Sequence, residues 1–377
     1  AMLNTISSIF LSVPDDSTVF IVLPGQKYLL QQRGYEAVAL SGLGGLGGLL
    51  FLVALTPVAS RLLPVVREVL RPHMGWILWT IIAYMLLSEW PKGTDRAPAG
   101  WRRWWDAWRS LTAGLATFLL SGLLGFILMY RSLVPVEVSY QNLLPAFVGL
   151  FAVPWVLQNL LARVELPPQH IARTLDVPPL ALFQGVAAGV LGGMFAAFFP
   201  VITGGIGGFL AGHATAQRDE RAFIISQGAS KIVYYVGGFL LFFVPGLHLT
   251  RGGMAWMIST RYSTYTPQRY LWATAAALLT GTVAFFLSLG LARVAIALIA
   301  RVSYRSLSLV TLGILIAVVL GMTGVGGLAI CAVATGIGLI PVLWGSRRMN
   351  CMGVLLLPIA LNMVGAGDVV ARFLGLL

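Results

Sequence analysis

Charged residues are scarce in this sequence: Asp, Glu, Lys and Arg make up only 10% of its 377 residues, whereas 58% are hydrophobic. A soluble globular protein carries about 25% charged residues, so this composition excludes a water-soluble core. Runs such as 37–56, 111–130 and 271–291 approach or reach the roughly 20 residues that cross a bilayer as a helix. The short alternating segments of a membrane β-barrel are absent. We therefore predict an all-α polytopic protein of the cell membrane.

Metal ligands and paired catalytic acids are also lacking. Cys331 and Cys351 are the only cysteines, and we expect both to be small buried side chains rather than a disulfide or a metal site. The stretch GAGD, 365–368, matches the Gly-x-Gly-Asp signature of intramembrane aspartyl proteases. That chemistry needs a second carboxylate inside the membrane, and no other aspartate lies within an apolar span. We predict no enzyme, no metal and no cofactor, and we expect Asp368 to pair with Arg372 one helical turn on.

Positive charge is present, with a net charge of +12 that is carried almost wholly by arginine. The arginines occupy short loops between apolar runs, as the positive-inside rule requires, so we expect contact with membrane lipids and none with nucleic acid. The most polar loop, 91–109, alternates arginine with tryptophan, which favours an aromatic belt at the membrane surface.

Apolar runs of bilayer length predict about nine full spans, together with two broken segments, 5–24 and 181–213. The spans are expected at 35–56, 74–90, 109–130, 143–162, 221–245, 270–297, 307–323, 326–344 and 351–374.

Each broken segment has a polar or glycine-rich interruption between apolar arms. The first contains VPDDST and the second contains FFPVITGGIGG. Proline ends a helix, and irregular backbone at membrane depth is tolerated only where it is buried or lines a cavity. We expect two re-entrant hairpins, with residues 14–18 and 203–208 non-helical. The alternative for Asp15 and Asp16 is helix capping in a surface loop.

A weak internal repeat relates the two hairpins, because QQRGYEAVALSGLGG, 31–45, is similar to AQRDERAFIISQGAS, 216–230. We expect one membrane domain of two halves, 1–180 and 181–377, each led by a hairpin. Charge counting puts both hairpins on one membrane face, whereas an inverted repeat would put them on opposite faces. The sequence leaves both arrangements open.

Two stretches carry a family resemblance. SIFLSVPDDSTVFIVLPGQKYLLQQRGYEAVALSGLGG, 8–45, and ATGIGLIPVLWGSRRMNCMGVLLLPIAL, 334–361, resemble the large membrane subunit of tripartite tricarboxylate transporters, and in particular its archaeal branch. The match over 200–230 is looser. Family members normally have one or two further helices before the first motif, and this sequence begins just past them, so the resemblance leaves open whether the protein is naturally short or its N-terminal part is missing from the sequence.

The resemblance implies a secondary transporter of a small organic anion, a di- or tricarboxylate. Bacterial members work with a small membrane subunit and an extracytoplasmic binding protein, whereas archaeal members often lack both. A partner subunit and a homo-oligomer therefore both stay open. Two other classes also stay open: a translocase for a polyprenyl-phosphate-like lipid carrier and a structural subunit of a membrane assembly.

The hairpin tips supply the candidate site. The predicted substrate-binding residues are Ser12, Ser17, Thr18, Thr203, Gly204, Gly205, Gly207, Gly208, Ser230 and Lys231. Asp15 and Asp16 are assigned to a coupling ion, Na⁺ or H⁺, because carboxylates would repel an anion. Lys231 lies in a strongly apolar run, and the sequence allows either a counter-charge for substrate or a side chain that reaches the membrane surface.

Overall fold

A computed structural model describes residues 1–11, 13, 17–90, 101–135, 142–161, 167–172, 174–199, 202–215, 219–261 and 266–377. These residues form helices joined by turns, and this part of the chain contains no strand, which confirms the all-α prediction. In chain order the α-helices are α1 (Asn4–Phe10), α2 (Val22–Leu30), α3 (Gly34–Leu70), α4 (Met74–Leu87), α5 (Trp101–Tyr130), α6 (Leu144–Phe147), α7 (Val153–Leu161), α8 (Pro179–Phe198), α9 (Gly204–Ala214), α10 (Glu220–Ile232), α11 (Gly238–Leu240), α12 (Gly252–Ser259), α13 (Pro267–Arg301), α14 (Tyr304–Trp344), α15 (Gly353–Met363) and α16 (Gly367–Phe373).

Among the described residues, six helical stretches are long and apolar enough to cross a membrane. A bent pair, Arg348–Met363 with Gly367–Phe373, makes a seventh if it counts as one span; its two parts meet at 114°. The predicted class, a multi-pass membrane protein, is confirmed.

The span count differs from nine mainly because two continuous stretches each cover two predicted spans. Gly34–Leu87 contains 35–56 and most of 74–90, and Arg305–Trp344 contains 307–323 and 326–344. At 1.5 Å per residue, 40 residues extend about 60 Å, twice the hydrocarbon thickness. Gly324 interrupts α14 with φ 68° and ψ −164°, a conformation open to glycine, at the point where the sequence separates the two spans.

The chain folds into two compact units that interleave along the sequence. Unit 1 contains Ala1–Pro72 and Val164–Leu307, and unit 2 contains His73–Arg163 and Ser308–Leu377. The repeat of halves 1–180 and 181–377 stays a prediction.

In unit 1, α3 and α10 run parallel with their backbones in contact. A Cβ on Gly44 would lie 2.0 Å from the Ile225 carbonyl oxygen, and a Cβ on Gly228 would lie 2.0 Å from the Ser41 carbonyl oxygen. These two contacts are reciprocal, because each glycine lies against the carbonyl oxygen of the residue three positions before the other glycine. Glycine is required at both positions since no side chain fits.

Unit 1 also contains the helices that flank this pair. A Cβ on Gly189 of α8 would lie 2.3 Å from the Ser226 carbonyl oxygen of α10, so small residues again allow close packing. On α13, Phe285 contacts Gly42.

Unit 2 is built on α5 and α15. A Cβ on Gly125 would lie 1.8 Å from the Val354 carbonyl oxygen, so these two helices also touch at backbone level. The predicted loop 91–109 is wrong for residues 101–109, which form the first turns of α5; 91–100 lie outside the described residues. Cys331 and Cys351 are free and buried, as expected.

Candidate functional site

The first predicted hairpin contains a helix break. Helix α1 ends at Phe10 and α2 begins at Val22. Within the break, Ser17 and Thr18 are buried, and the Thr18 hydroxyl oxygen lies 2.8 Å from the Ser8 hydroxyl, which donates to it. Ser12 and residues 14–16, with both predicted ion-coupling aspartates, lie outside the described residues.

The second hairpin breaks earlier than predicted. Helix α8 ends at Phe198, and α9 begins at Gly204 after the extended residue Thr203, whose hydroxyl accepts the Ile206 amide at 3.4 Å. The prediction of non-helical backbone over 203–208 is therefore wrong from Gly204 onward. The glycines serve packing instead: a Cβ on Gly207 would lie 2.1 Å from the Gly192 carbonyl oxygen.

The structure brings the two hairpins together. The rings of Phe20, in the first break, and Phe209, in α9, stack with centroids 4.7 Å apart. Lys27 of α2 forms an ion pair with Glu220 at the start of α10. Side chains of both hairpins therefore meet within unit 1, and the shared site stays a prediction.

Lys231 lies at the centre of this arrangement. Its side chain is only 2% exposed, and its ammonium donates to the Asn4 amide oxygen at 3.1 Å and to the Thr5 hydroxyl. It is about 16 Å along α10 from Glu220, half the hydrocarbon thickness. The interpretation of Lys231 as a side chain that reaches the membrane surface is therefore wrong.

Ser230, also predicted, connects α10 to the second break. Its hydroxyl donates to the Gly204 carbonyl oxygen at 2.6 Å. A Cβ on Gly204 would lie 3.1 Å from the Lys231 Cα, so the start of α9 rests on the backbone of Lys231.

Gln227 is a site residue that the sequence interpretation missed. Its side chain is 3% exposed, and neither its amide nitrogen nor its amide oxygen has a hydrogen-bond partner among the described residues. The amide nitrogen would be 2.8 Å from a Cβ on Gly208. Its position in an apolar run, one helical turn before Lys231, is the feature of the sequence that could have identified it as a site residue. A buried amide without partners is costly, so this group is available to bind a ligand.

Arg251 is the second site residue that the sequence interpretation missed, and it binds the C-terminal end of α8. Its guanidinium donates to the carbonyl oxygens of Ala196 at 2.7 Å, Ala197 at 2.9 Å and Phe199. Burial lowers the pKa of Arg251 from its ordinary value, which the nearby Tyr234 opposes. The cation satisfies carbonyls that the break leaves without helical partners.

A narrow gap lies beside Lys231, between α1, α3, α10 and α13. Its polar lining includes Thr5, Ser41 and Ser288. It has no room for a water molecule, so this conformation is closed around the ammonium group.

The remaining candidate chemistry is explained by simple contacts. Asp368 accepts a hydrogen bond from the Tyr130 hydroxyl at 3.2 Å, not from Arg372 as predicted. The described residues contain no group of three or more His, Cys, Asp or Glu side chains suited to a metal ion.

Comparisons with known proteins agree with the resemblance seen in the two motifs. The model of the tripartite tricarboxylate transporter TctA family matches residues 1–353. An uncharacterized protein of Methanocaldococcus jannaschii is 26% identical over 364 residues, which cover 94% of this chain and 84% of the relative; this is consistent with the archaeal branch. No solved structure matches. The chain belongs to the tripartite tricarboxylate transporter TctA family.

Proposed function

We propose that this transporter-family chain carries a small organic anion, a di- or tricarboxylate, through the site between the two helix breaks of unit 1. The observation that carries the proposal is the buried ammonium of Lys231, held by residues of α1 against the start of α9. An ionisable group inside a membrane protein is a functional candidate because burying it costs several kcal/mol.

Charge and hydrogen bonding support an anionic substrate. Lys231 supplies a cation, Gln227 supplies amide donors without partners in the described part of the chain, and the first turn of α9 has the partial positive charge of a helix N-terminus. A carboxylate has two oxygens that accept from such donors at once. The glycines of α9 allow this turn to approach α10 closely, so we assign them a packing role beside the polar groups.

The closed gap implies movement during transport. A dicarboxylate does not fit beside Lys231 in this conformation, so substrate entry requires separation of the hairpins from α10. Asn4 and Thr5 accept from Lys231 here, and a substrate carboxylate would replace them. Such exchange of acceptors keeps the ammonium satisfied in both states.

We further propose that Asp15 and Asp16 bind the coupling ion, Na⁺ or H⁺. They belong to the break that contains Ser17 and Thr18, whose hydroxyls are buried. Carboxylate, hydroxyl and backbone carbonyl oxygens suit a hard cation.

Uptake into vesicles tests the function. The chain is reconstituted alone, and labelled citrate and succinate are offered under an imposed Na⁺ or H⁺ gradient. Binding of the same compounds to the detergent-solubilised chain is measured in parallel, because a missing partner subunit abolishes uptake but not binding to this site. Absence of both would overturn the proposal, and transfer of a polyprenyl phosphate instead would establish the lipid-carrier alternative.

A further inference from the structure

Unit 2 contains a buried polar cluster that the transport proposal does not use. It lies where α14 ends and a short 3₁₀ turn, Arg348–Met352, leads into α15. Glu89, 7% exposed, accepts the backbone amide of Arg347 at 2.5 Å and the Asn350 side-chain amide at 3.3 Å through one carboxylate oxygen. The one acid of the cluster is thus bound to the turn.

Arg348 makes different contacts. Its guanidinium carbon lies 3.3 Å from the centroid of the Trp155 ring, and its Nη2 donates to the Gln158 amide oxygen at 2.8 Å. Among the described residues, Arg348 has no ion pair with a carboxylate. Within that part of the chain, its charge is therefore held by a stacked ring and a neutral amide, without a carboxylate as counter-charge.

Two donors of this stacked pair point into protein without an acceptor. Nη1 of Arg348 and Nε1 of Trp155 are both buried and have no hydrogen-bond partner in the described part of the chain. Trp155 as a whole is only 9% exposed. Because the guanidinium rests on the indole ring, bond lengths alone keep the two donors close to each other. Buried donors normally have acceptors, so the pair is suited to a group that accepts from both.

We propose that Arg348 and Trp155 form an oxyanion site in unit 2, separate from the substrate site of unit 1. Its ligand presents phosphate or carboxylate oxygens to Arg348 Nη1 and Trp155 Nε1. A guanidinium offers fixed, planar donors that match an oxyanion, and the indole N–H adds one more. The oxyanion also neutralises the arginine charge.

The surroundings favour the phosphate of an anionic membrane lipid as the source. Trp344, four residues before Arg348, makes an edge contact with Trp105 at a centroid distance of 6.5 Å, and Trp90 meets Trp108 at 5.3 Å. Tryptophans concentrate at the level of lipid headgroups, and basic pockets between helices at that level bind the headgroups. A free phosphate or carboxylate presents the same oxygens.

The test measures ligand-dependent melting temperature of the delipidated, detergent-purified chain. Phosphatidylglycerol, phosphatidylcholine, inorganic phosphate and citrate are titrated separately. A ligand that binds the folded state raises the melting temperature, and its concentration dependence gives an apparent Kd. The variants are Arg348→Gln and Trp155→Phe; the second keeps an aromatic ring for the guanidinium to stack on and removes the indole N–H together with the five-membered ring that carries it. Trp272→Phe, at a position 76% exposed, is the matched control.

We expect stabilisation by phosphatidylglycerol and none by phosphatidylcholine. Loss of a bond to a charged group corresponds to an affinity weakened about tenfold or more in Arg348→Gln, and loss of the indole N–H to about threefold in Trp155→Phe. Stabilisation by phosphate or citrate with the same variant dependence supports the site with a free oxyanion as its ligand. If no anion stabilises the chain, or if Trp155→Phe and Arg348→Gln both respond as Trp272→Phe does, the proposal is overturned.

Discussion

Lys231 donates a hydrogen bond to the side-chain oxygen of Asn4, 3.1 Å away, so a cation in the last turn of α10 is tied to the first helix of the chain. The helix that follows the second hairpin is thereby connected to α1, the first arm of the first hairpin. We expect this bond to break when a substrate carboxylate takes the place of Asn4.

Replacement of Lys231 should show how far carboxylate binding depends on the charge of this side chain and how far on its shape. Lys231→Met keeps the aliphatic stem but removes the cation, and we expect carboxylate affinity to fall about 10- to 100-fold, the worth of hydrogen bonds to a charged group. Lys231→Arg should retain part of the binding. Scintillation proximity binding of labelled citrate measures both. Lys27→Met, at an exposed ion pair, is the control; an equal loss in Lys27→Met and Lys231→Met would contradict a specific role.

Gln227 offers a test in which stability and binding move in opposite directions. Gln227→Leu removes two buried polar atoms that have no partner among the described residues, so we expect unchanged or increased stability, by up to about 1–3 kcal/mol. Substrate binding should nevertheless weaken. Thermal unfolding and binding are measured on the same preparation. A destabilised Gln227→Leu chain would show that the amide has a structural partner.

The contact between α3 and α10 predicts a strict requirement for glycine. Gly228→Ala would place a methyl group 2.0 Å from the Ser41 carbonyl oxygen, and we expect a loss of about 1–3 kcal/mol in stability. Gly290→Ala in α13 is the control, because a Cβ there has no atom within 4 Å. That change should stabilise the helix by about 0.5–1 kcal/mol. Melting temperatures in detergent distinguish the two, and tolerance of alanine at 228 would refute close backbone contact.

Arg251 should stabilise the end of α8. Arg251→Gln removes charged hydrogen bonds to three carbonyl oxygens, and we expect a loss of about 2–3 kcal/mol. Arg251→Lys restores the charge but not the planar fork, so it should recover only part of the stability. Chemical denaturation measures the free energy of unfolding of each variant, and Arg261→Gln, at an exposed position, is the control. Full recovery in Arg251→Lys would assign the effect to charge alone.

Ion coupling is tested at the first break. Asparagine caps a helix about as well as aspartate, so Asp15→Asn and Asp16→Asn should be nearly neutral if the pair only caps. If the pair binds the coupling ion, each variant should lose gradient-driven citrate uptake while its melting temperature stays unchanged. Uptake is compared under Na⁺ and H⁺ gradients. Two variants that transport as well as the parent would restrict the pair to capping.

The sequence predicts the membrane class from its long apolar runs, and the two helix breaks because each is a local departure from an apolar pattern. It also draws attention to Lys231, whose role in a site stays a prediction. It does not predict that the helix resumes at Gly204, since glycine permits both a turn and close helix packing. The sequence also does not predict contacts between residues that are far apart in the chain. Nothing near Arg251 in the sequence indicates that it binds carbonyls at the end of α8. Gln227, unlike Arg251, has a signal in the sequence, because it is an amide inside an apolar run. That signal is weaker than the one from the neighbouring lysine.

The reciprocal contact of Gly44 with Ile225 and of Gly228 with Ser41 constrains how transport can alternate between the two sides of a membrane. In transporters with inverted repeats, the inward- and outward-facing states arise when the two repeats exchange conformations. A two-fold rotation that interchanges α3 with α10 keeps both helices pointing the same way. If these two helices exchanged conformations, the protein would therefore stay open to the same side of the membrane. In the proposed transport, the change of side would then come from elements that this symmetry does not relate. In the register of the two glycine contacts, Lys231 corresponds to Gly47 of α3 and already distinguishes one helix from the other.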